Sequence, residues 1–325
     1  MSESSQPTQS TRDSVPTKKR SVGELIGIAL RGALMGIAEV IPGVSGGTIA
    51  FISGIYDELL SSIARFGPAS IGELFSAGLP RFWQSHNLTF LVTLALGMGL
   101  SLVTIARLVK AALEATPPLV WAFFFGLIVA SVVYLGRSLR DSATVDSTRG
   151  SGMGGPGLLL IGAVGLALGL GLSMLAPATV EVQWWMLLVG GAIAVTAWIL
   201  PGISGSLMLL LMGLYPAVLA AVSEFDLVLL GSLVAGCVIG MLAFSRLLSW
   251  LLSHYRAPVL ALLTGVMAGS LIKLWPWQAD TGSLLLPGQY AETVGPALLW
   301  PSAGMLLLGL LAVGVLARFN PQPDS

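Results

Sequence analysis

The stretch that decides the fold is residues 41–47 (IPGVSGG), which recurs 159 positions later as residues 200–206 (LPGISGS). Each copy interrupts a long apolar run. A second match follows in the same register, residues 54–56 (GIY) against 213–215 (GLY). The chain is therefore an internal duplication. Apolar segments that Pro and Gly break at corresponding positions of two halves are the pattern that points to a substrate site in a membrane transporter.

Composition identifies the medium. Of 325 residues, 55% are hydrophobic and 10% are charged, which indicates a polytopic membrane protein. The formal net charge is zero, and no basic stripe alternates with aromatic residues. Nucleic acid is therefore not an expected partner.

Cysteine and histidine are too scarce for common metal or disulfide chemistry. Cys237 is the single cysteine, and His86 and His254 both lie outside the apolar runs. We expect no disulfide framework, no metal site and no cofactor.

The apolar runs predict an all-α protein with six membrane-spanning helices. The polar first residues end in Lys18, Lys19 and Arg20 and lack the apolar core of a cleavable signal, so we expect a disordered cytoplasmic tail. The predicted spans are residues 88–109, 119–136, 157–176, 227–252, 259–275 and 297–317.

Two further segments, residues 22–60 and 183–222, each hold two apolar arms joined at a Pro-Gly motif. We interpret both as re-entrant-type helical hairpins that return to their starting side. The predicted organisation is a tail (1–21), the first hairpin with two helices (22–136), a cytoplasmic Gly-rich loop (137–156), the third helix (157–176) and the second repeat (183–319).

The duplication extends beyond the hairpins, because Gly97 and Arg107 recur as Gly236 and Arg246 at a spacing of 139. Each repeat is a hairpin plus three crossings, and three is odd, so the second repeat is expected to be inverted. Charge supports this topology. With both termini cytoplasmic, most Lys and Arg fall inside. The exceptions near the outer boundary are Lys110, Lys273 and Arg107.

Backbone that leaves a helix in hydrocarbon survives only where it lines a cavity, and glycines with hydroxyls beside free N–H groups suit an anion. A kinked helix with close-packed small residues explains a single motif equally well, and the hydroxyls have helix carbonyls as alternative partners. The candidate binding residues in the two hinges are Pro42, Gly43, Ser45, Gly46, Gly47, Thr48, Pro201, Gly202, Ser204, Gly205 and Ser206.

Ionisable residues inside apolar runs are a second signal, because an unpaired charge there costs at least about 2.5 kcal/mol. Arg31 and Glu39 lie eight residues apart, about 12 Å along a helix. Glu39 is three residues before Pro42, and Trp198 takes its place in the second repeat. Arg31 has the alternative of snorkelling to the interface. The symmetric pair Arg107 and Arg246 is explained either by phosphate contact or by interface anchoring.

Residues 35–48 (MGIAEVIPGVSGGT), followed by 54–56, resemble the signature of the bacterial and archaeal polyprenyl-phosphate transporter family, PopT. The resemblance covers the chain from about Val22 to Phe319. It implies a flippase that returns undecaprenyl phosphate across the membrane for reuse in cell-wall biogenesis. The expected location is the bacterial inner membrane. Our mechanistic hypothesis is alternating access, in which the hinges hold the phosphate, Arg31 compensates its charge and Glu39 is the proton-coupling candidate, with a proton or sodium ion as the coupling partner.

Two alternatives remain at this point. An integral-membrane polyprenyl-diphosphate phosphatase also uses inverted repeats with Pro-Gly hinges, but it needs a hinge arginine and clustered acids. Here Gly46 and Gly205 take the arginine positions, and Glu39 has no acidic partner four residues away. An ion-coupled carrier of a small anion fits the same hairpins.

Overall fold

The computed structural model describes residues 20–40, 44–148, 154–279 and 282–318. The all-helical prediction is confirmed, since the regular elements in these ranges are helices with one isolated bridge between Gln278 and Leu284. Most of the predicted tail, Pro42, Gly43 and part of the Gly-rich loop lie outside the described residues. The helices are α1 (Val22–Glu39), α2 (Gly46–Ile52), α3 (Tyr56–Ala64), α4 (Pro68–Ala77), α5 (Leu79–Ser85), α6 (Leu88–Ala115), α7 (Pro117–Thr148), α8 (Gly155–Met174), α9 (Trp184–Ile199), α10 (Gly205–Leu211), α11 (Tyr215–Glu224), α12 (Leu227–His254), α13 (Arg256–Ser270), α14 (Pro287–Thr293) and α15 (Leu299–Arg318).

Six helices are long and apolar enough to cross a membrane, as predicted: α6, α7, α8, α12, α13 and α15. A 3-10 helix, Leu271–Leu274, continues α13. Their lengths of about 20 residues or more match the thickness of a hydrocarbon core at the rise of an α-helix.

The predicted cytoplasmic loop at residues 137–156 is helical as far as Thr148, because α7 continues past the apolar run. The end of an apolar run marks where a membrane would end. It does not mark where helical hydrogen bonding ends, and the residues after Gly136 include Arg, Leu and Ala, which favour helix.

Each Pro-Gly segment contains three helices where two arms were predicted. The first is α1, α2 and α3, and the second is α9, α10 and α11. The additional break comes at Gly54 (φ 74°) and Gly213 (φ 72°), and α10 and α11 are bent by 104°. Positive φ favours glycine, so the repeated Gly of the GIY and GLY matches is what turns the chain.

The two halves pack with the same pairings. Helix α1 packs on α6 as α9 packs on α12, and α7 packs on α15 as α13 packs on α8. Glycines at equivalent positions make equivalent contacts. A Cβ at Gly97 would collide with the carbonyl of Ala29, and one at Gly236 with the carbonyl of Leu188. These two carbonyls are 159 residues apart, the spacing of the hinges.

Both Pro-Gly segments turn back toward their own beginnings. Arg20, just before α1, forms an ion pair with Glu58 in α3. Ala178, just before α9, donates to the carbonyl of Leu211 at the end of α10 (2.9 Å). We call the end of the bundle where α1 begins the α1 end, and the end where α9 begins the α9 end.

Substituting Gly236 by Val is expected to destabilise the bundle by about 1–3 kcal/mol, because its side chain meets backbone that has no room to move. Gly231→Val on the same helix is the matched control, since nothing lies within 4 Å of a Cβ at that position. Thermal unfolding of the detergent-solubilised proteins measures both. Equal loss in the two variants would contradict the close approach of α9 and α12.

Candidate functional site where the two hinges meet

The two hinges contact each other directly. Ser45 Oγ donates to the carbonyl of Trp198 (2.8 Å), and the N–H of Gly202 donates to Thr48 Oγ1 (3.0 Å). Both hydroxyl side chains are fully buried. Residues more than 150 positions apart therefore complete each other's hydrogen bonding, and the duplicated motifs form one structure.

Glu39 is the acidic group of this structure. Its Oε1 accepts a 2.6 Å hydrogen bond from the N–H of Gly46, at the start of α2. The indole nitrogen of Trp198 lies on the same side of Gly46 as this carboxyl group and interacts with it. The carboxyl group thus lies at the first turn of α2, where a negative charge is favoured, and bridges the two repeats.

Glycine at positions 46 and 47 permits this approach. A Cβ at Gly46 would lie 3.0 Å from Glu39 Oε1, and one at Gly47 would collide with the carbonyl of Ile199. The N–H of Gly47 is also bound, to Ser45 Oγ (3.1 Å). The first hinge is consequently closed on itself and on the end of α9.

The second hinge is less closely capped. Ser204 and Ser206 share a 2.9 Å hydrogen bond between their hydroxyls, and α10 has no side-chain cap of the kind that Ser45 gives α2. A Cβ at Gly205 would lie 2.6 Å from the carbonyl of Ala194, and Pro201 beside it is buried. The first-turn amides of α10 therefore have no Glu39-like acceptor among the described side chains.

The predicted arginines lie apart from the hinges. The Nη1 of Arg31 lies near Gly27, toward the start of α1 and away from Glu39. Arg246 binds the carbonyls of Ala64 (3.2 Å) and Phe66, beyond α3. Arg107 is exposed on α6. The structure thus brings together the hinge residues and Glu39, but not these three cations.

A small pocket adjoins the second hinge toward the α9 end. Gly202, Ile203 and Leu207 line it on the hinge side, and Ser173, Ser270 and Lys273 are among the residues that line it on the opposite side. The side chain of Lys273 has no carboxylate partner among the described residues. The pocket's volume is about 10 Å³, room for roughly one water molecule, so an anion fits beside Lys273 and the hinge amides only if the lining moves apart.

An apolar groove of about 410 Å³ runs between α9 and α12. It includes Thr196, two residues before Trp198, and continues past Ile193 and Val189 toward the start of α9. Ile193 and Val189 are exposed. The groove therefore leads from the hinges along the outside of the bundle.

Three residues here were not singled out as site residues from the sequence: Trp198, Tyr56 and Lys273. The hydroxyl of Tyr56 donates to the carbonyl of Ile199 (3.1 Å). Trp198 stands at the position of Glu39 in the second repeat, and Tyr56 belongs to the repeated GIY match. Comparison of equivalent positions in the two repeats would have identified Trp198 and Tyr56. Lys273 belongs to no repeated motif, so nothing in the sequence gave a reason to select it.

Within the described part of the chain, no group of three or more His, Cys, Asp or Glu side chains is placed to hold a metal ion. What the site offers is backbone N–H groups, hydroxyls, one carboxyl group and one nearby ammonium group. Six apolar helices around two broken segments that meet hinge to hinge define a membrane transporter.

Comparison with known proteins agrees with this class. Residues 35–286 match the VCA0040-like family, described as undecaprenyl phosphate translocase-like, and the chain belongs to that family. It is 44% identical over 249 residues to a polyprenyl-phosphate transporter of Vibrio cholerae, covering 77% of each chain. It is 31% identical over 257 residues to a polyprenyl-phosphate transporter of Staphylococcus aureus, covering 76% of this chain and 85% of the relative. No solved structure matches.

Glu39→Ala is expected to cost about 1–3 kcal/mol, because it leaves the N–H of Gly46 without its acceptor. Glu39→Gln keeps a carbonyl oxygen in place and should lose much less. Thermal unfolding of both variants checks this. Indistinguishable midpoints would show that the carboxyl group does not hold the hinges together.

Proposed function

We propose that this protein is a flippase for polyprenyl phosphate, with undecaprenyl phosphate as the bacterial substrate, and that it returns the lipid carrier for reuse in cell-envelope synthesis. The observation that carries this is the meeting of the two hinges around Glu39. The names of the two relatives support the same substrate class. The head group crosses at the hinges while the tail stays in lipid.

The proposed topology places the two halves as inverted repeats in the cytoplasmic membrane with both termini inside. The α1 end is then cytoplasmic and the α9 end faces outward. The cluster of cations at the α1 end, which includes Arg20, Arg65 and Arg256, supports this orientation.

Glu39 couples the head group to a proton. The phosphate and the carboxylate compete for the same N–H donors, and two anions at one hinge repel each other. Protonation of Glu39 removes that repulsion and weakens its hold on Gly46. Phosphate therefore binds best to the protonated hinge, and release of the phosphate allows the proton to leave.

Lys273 receives the head group on the outer side, and the small pocket beside it widens to admit the phosphate. Its ammonium group provides the charge, and Ser173, Ser270 and the second hinge provide polar contacts. On the cytoplasmic side Arg31 compensates the phosphate charge after the head group has passed the hinge. Its guanidinium, directed toward Gly27, lies along that exit.

The groove between α9 and α12 accommodates the first part of the isoprenoid tail. Its lining is almost entirely apolar and it opens sideways, as a chain that remains in the bilayer requires. From Gly236 to Leu247 it extends about 16 Å along α12. A closed tunnel for the tail is not needed.

Transbilayer movement of a labelled polyprenyl phosphate in proteoliposomes tests the function. We expect the unmodified protein to accelerate movement and to respond to an imposed pH gradient. Glu39→Gln should remove the response to the gradient, because its amide cannot carry the proton. Gradient dependence that survives in Glu39→Gln would exclude the proton role. Phosphate release from polyprenyl diphosphate, without movement of the monophosphate, would favour the phosphatase instead.

Lys273→Gln is expected to weaken uptake from the outer leaflet about tenfold or more, because a hydrogen bond to a charged group contributes about 1.5–3 kcal/mol. Lys110→Gln is the control, since Lys110 is exposed and pairs with Glu114 outside the pocket. The half-saturating concentration of polyprenyl phosphate measures the effect. Equal half-saturating concentrations for the two variants would show that Lys273 does not bind the head group.

A further inference from the structure

The equivalent contacts of the two repeats are not all formed at the same time. At the α1 end, Arg246 of α12 holds the end of α3 through the carbonyls of Ala64 and Phe66. Gly67 gives the guanidinium room, because a Cβ there would lie 2.7 Å from Nη2. Helix α3 packs along α12 at this end, which closes the α1 end of the bundle.

The duplication assigns a counterpart to each part of this contact. Arg107 on α6 corresponds to Arg246, and the carbonyls of Ser223 and Phe225 at the end of α11 correspond to those of Ala64 and Phe66. Within the described residues, Arg107 makes no hydrogen bond or ion pair. The counterpart of α3 packing on α12 would be α11 packing on α6. Helix α11 packs instead mainly on α10 and α12. Phe225 is 77% exposed, whereas Phe66 is packed between Phe82 and His86.

A tyrosine pair shows the same asymmetry. Tyr56 is buried and donates to the carbonyl of Ile199. Its counterpart is Tyr215, for which the equivalent acceptor is the carbonyl of Val40. Tyr215 is 36% exposed and makes no such bond among the described residues. Two contacts that one half of the described chain forms, those of Arg246 and Tyr56, are therefore not formed by their equivalents, Arg107 and Tyr215.

The charges at the end of α11 suit a contact with Arg107. Glu224 and Asp226 stand where the first repeat has Arg65 and Gly67. Asp226 uses Oδ1 to cap α12, accepting from the N–H groups of Val228 and Leu229, which leaves its other oxygen. Two carboxylates near the equivalent carbonyls attract the guanidinium more strongly than the carbonyls alone.

We propose that Arg107 is a positioning residue that closes the α9 end in the opposite conformation of the transporter. In that state Arg107 binds the end of α11 at Ser223, Phe225 and the two acids, and Tyr215 bonds to the carbonyl of Val40. At the same time Arg246 releases the end of α3, and Tyr56 releases the carbonyl of Ile199. This rests on the proposed alternating access but does not depend on which substrate is carried.

The test measures closure of the α9 end without using transport. Ser223→Cys in a Cys237→Ala background gives a single exposed thiol at the end of α11. Its labelling rate with a membrane-impermeant maleimide reports whether that end is open. Arg246→Ala should lower the open-to-closed equilibrium constant about tenfold, the change expected for loss of a hydrogen bond to a charged group that favours the open form, and labelling should slow as the open fraction falls. Adding Arg107→Ala to that variant should restore the original rate.

The proposal predicts that Arg246→Ala slows labelling and that Arg107→Ala reverses this change. If the arginines only stabilised the fold, their substitutions would not act in opposite directions. Lys110→Ala, a neighbouring cation on α6, is the control and should leave the rate unchanged. Arg246→Lys should give an intermediate rate, and it provides a second readout if Arg246→Ala folds poorly. Labelling that is unchanged in Arg246→Ala, or slowed equally by both arginine substitutions, would overturn the proposal.

Labelled polyprenyl phosphate separates this proposal from the proposed function. If the lipid is the substrate, its addition should slow labelling of the unmodified protein by populating the closed form, and Arg107→Ala should abolish that effect. Opposite effects of the two arginine substitutions on the labelling rate, with no change of the rate on adding lipid, would still support the proposed role of Arg107. That result would reject polyprenyl phosphate as the substrate.

Discussion

Each hinge satisfies the backbone and hydroxyl groups of the other, and the rest of the structure depends on that exchange. In an apolar medium an unpaired N–H or C=O group costs several kcal/mol, so a broken helix needs partners within the protein. Ser45 finds its partner on the end of α9, and Gly202 finds its partner on Thr48. Neither break has these partners alone, which explains why the motif occurs twice in one chain.

The surrounding helices hold the hinges at this distance through close backbone contacts. Gly97 and Gly236 bring α1 onto α6 and α9 onto α12, and the pairings of α7 with α15 and α13 with α8 complete the frame. At these glycines one helix backbone lies directly against another, so no flexible side chain can adjust. The contacts therefore resist small deformations. The contacts that differ between the halves are those of the arms beyond the hinges, α3 and α11.

The helical class of the protein and the positions of its six long apolar helices could be predicted from the sequence. The repeated motif and the apolar runs predicted an all-helical protein with six spanning helices and a site built on the hinges. The length of α7 was not predictable from hydropathy, because helical hydrogen bonding continues after the chain leaves an apolar region. The breaks at Gly54 and Gly213 were visible as repeated residues, but their positive φ was not.

The role of a polar side chain was harder to predict. Glu39 stood out because a carboxyl group in an apolar run is costly, whereas its partner Trp198 is an ordinary residue for a membrane helix. The direction of Arg31, away from the hinge, depends on a rotamer that sequence does not specify. Lys273 belongs to no motif, and its place beside the second hinge follows from how α13 packs.

The hydrogen bond from Ala178 to Leu211 ties the second hairpin to the connection between α8 and α9. A Cβ at Gly213 would collide with the carbonyl of Ala178, so this connection lies directly against the bend between α10 and α11. A rotation of α11 therefore has to carry the connection with it. An antibody fragment that binds this exposed connection would arrest the hairpin without competing with a ligand at the hinges.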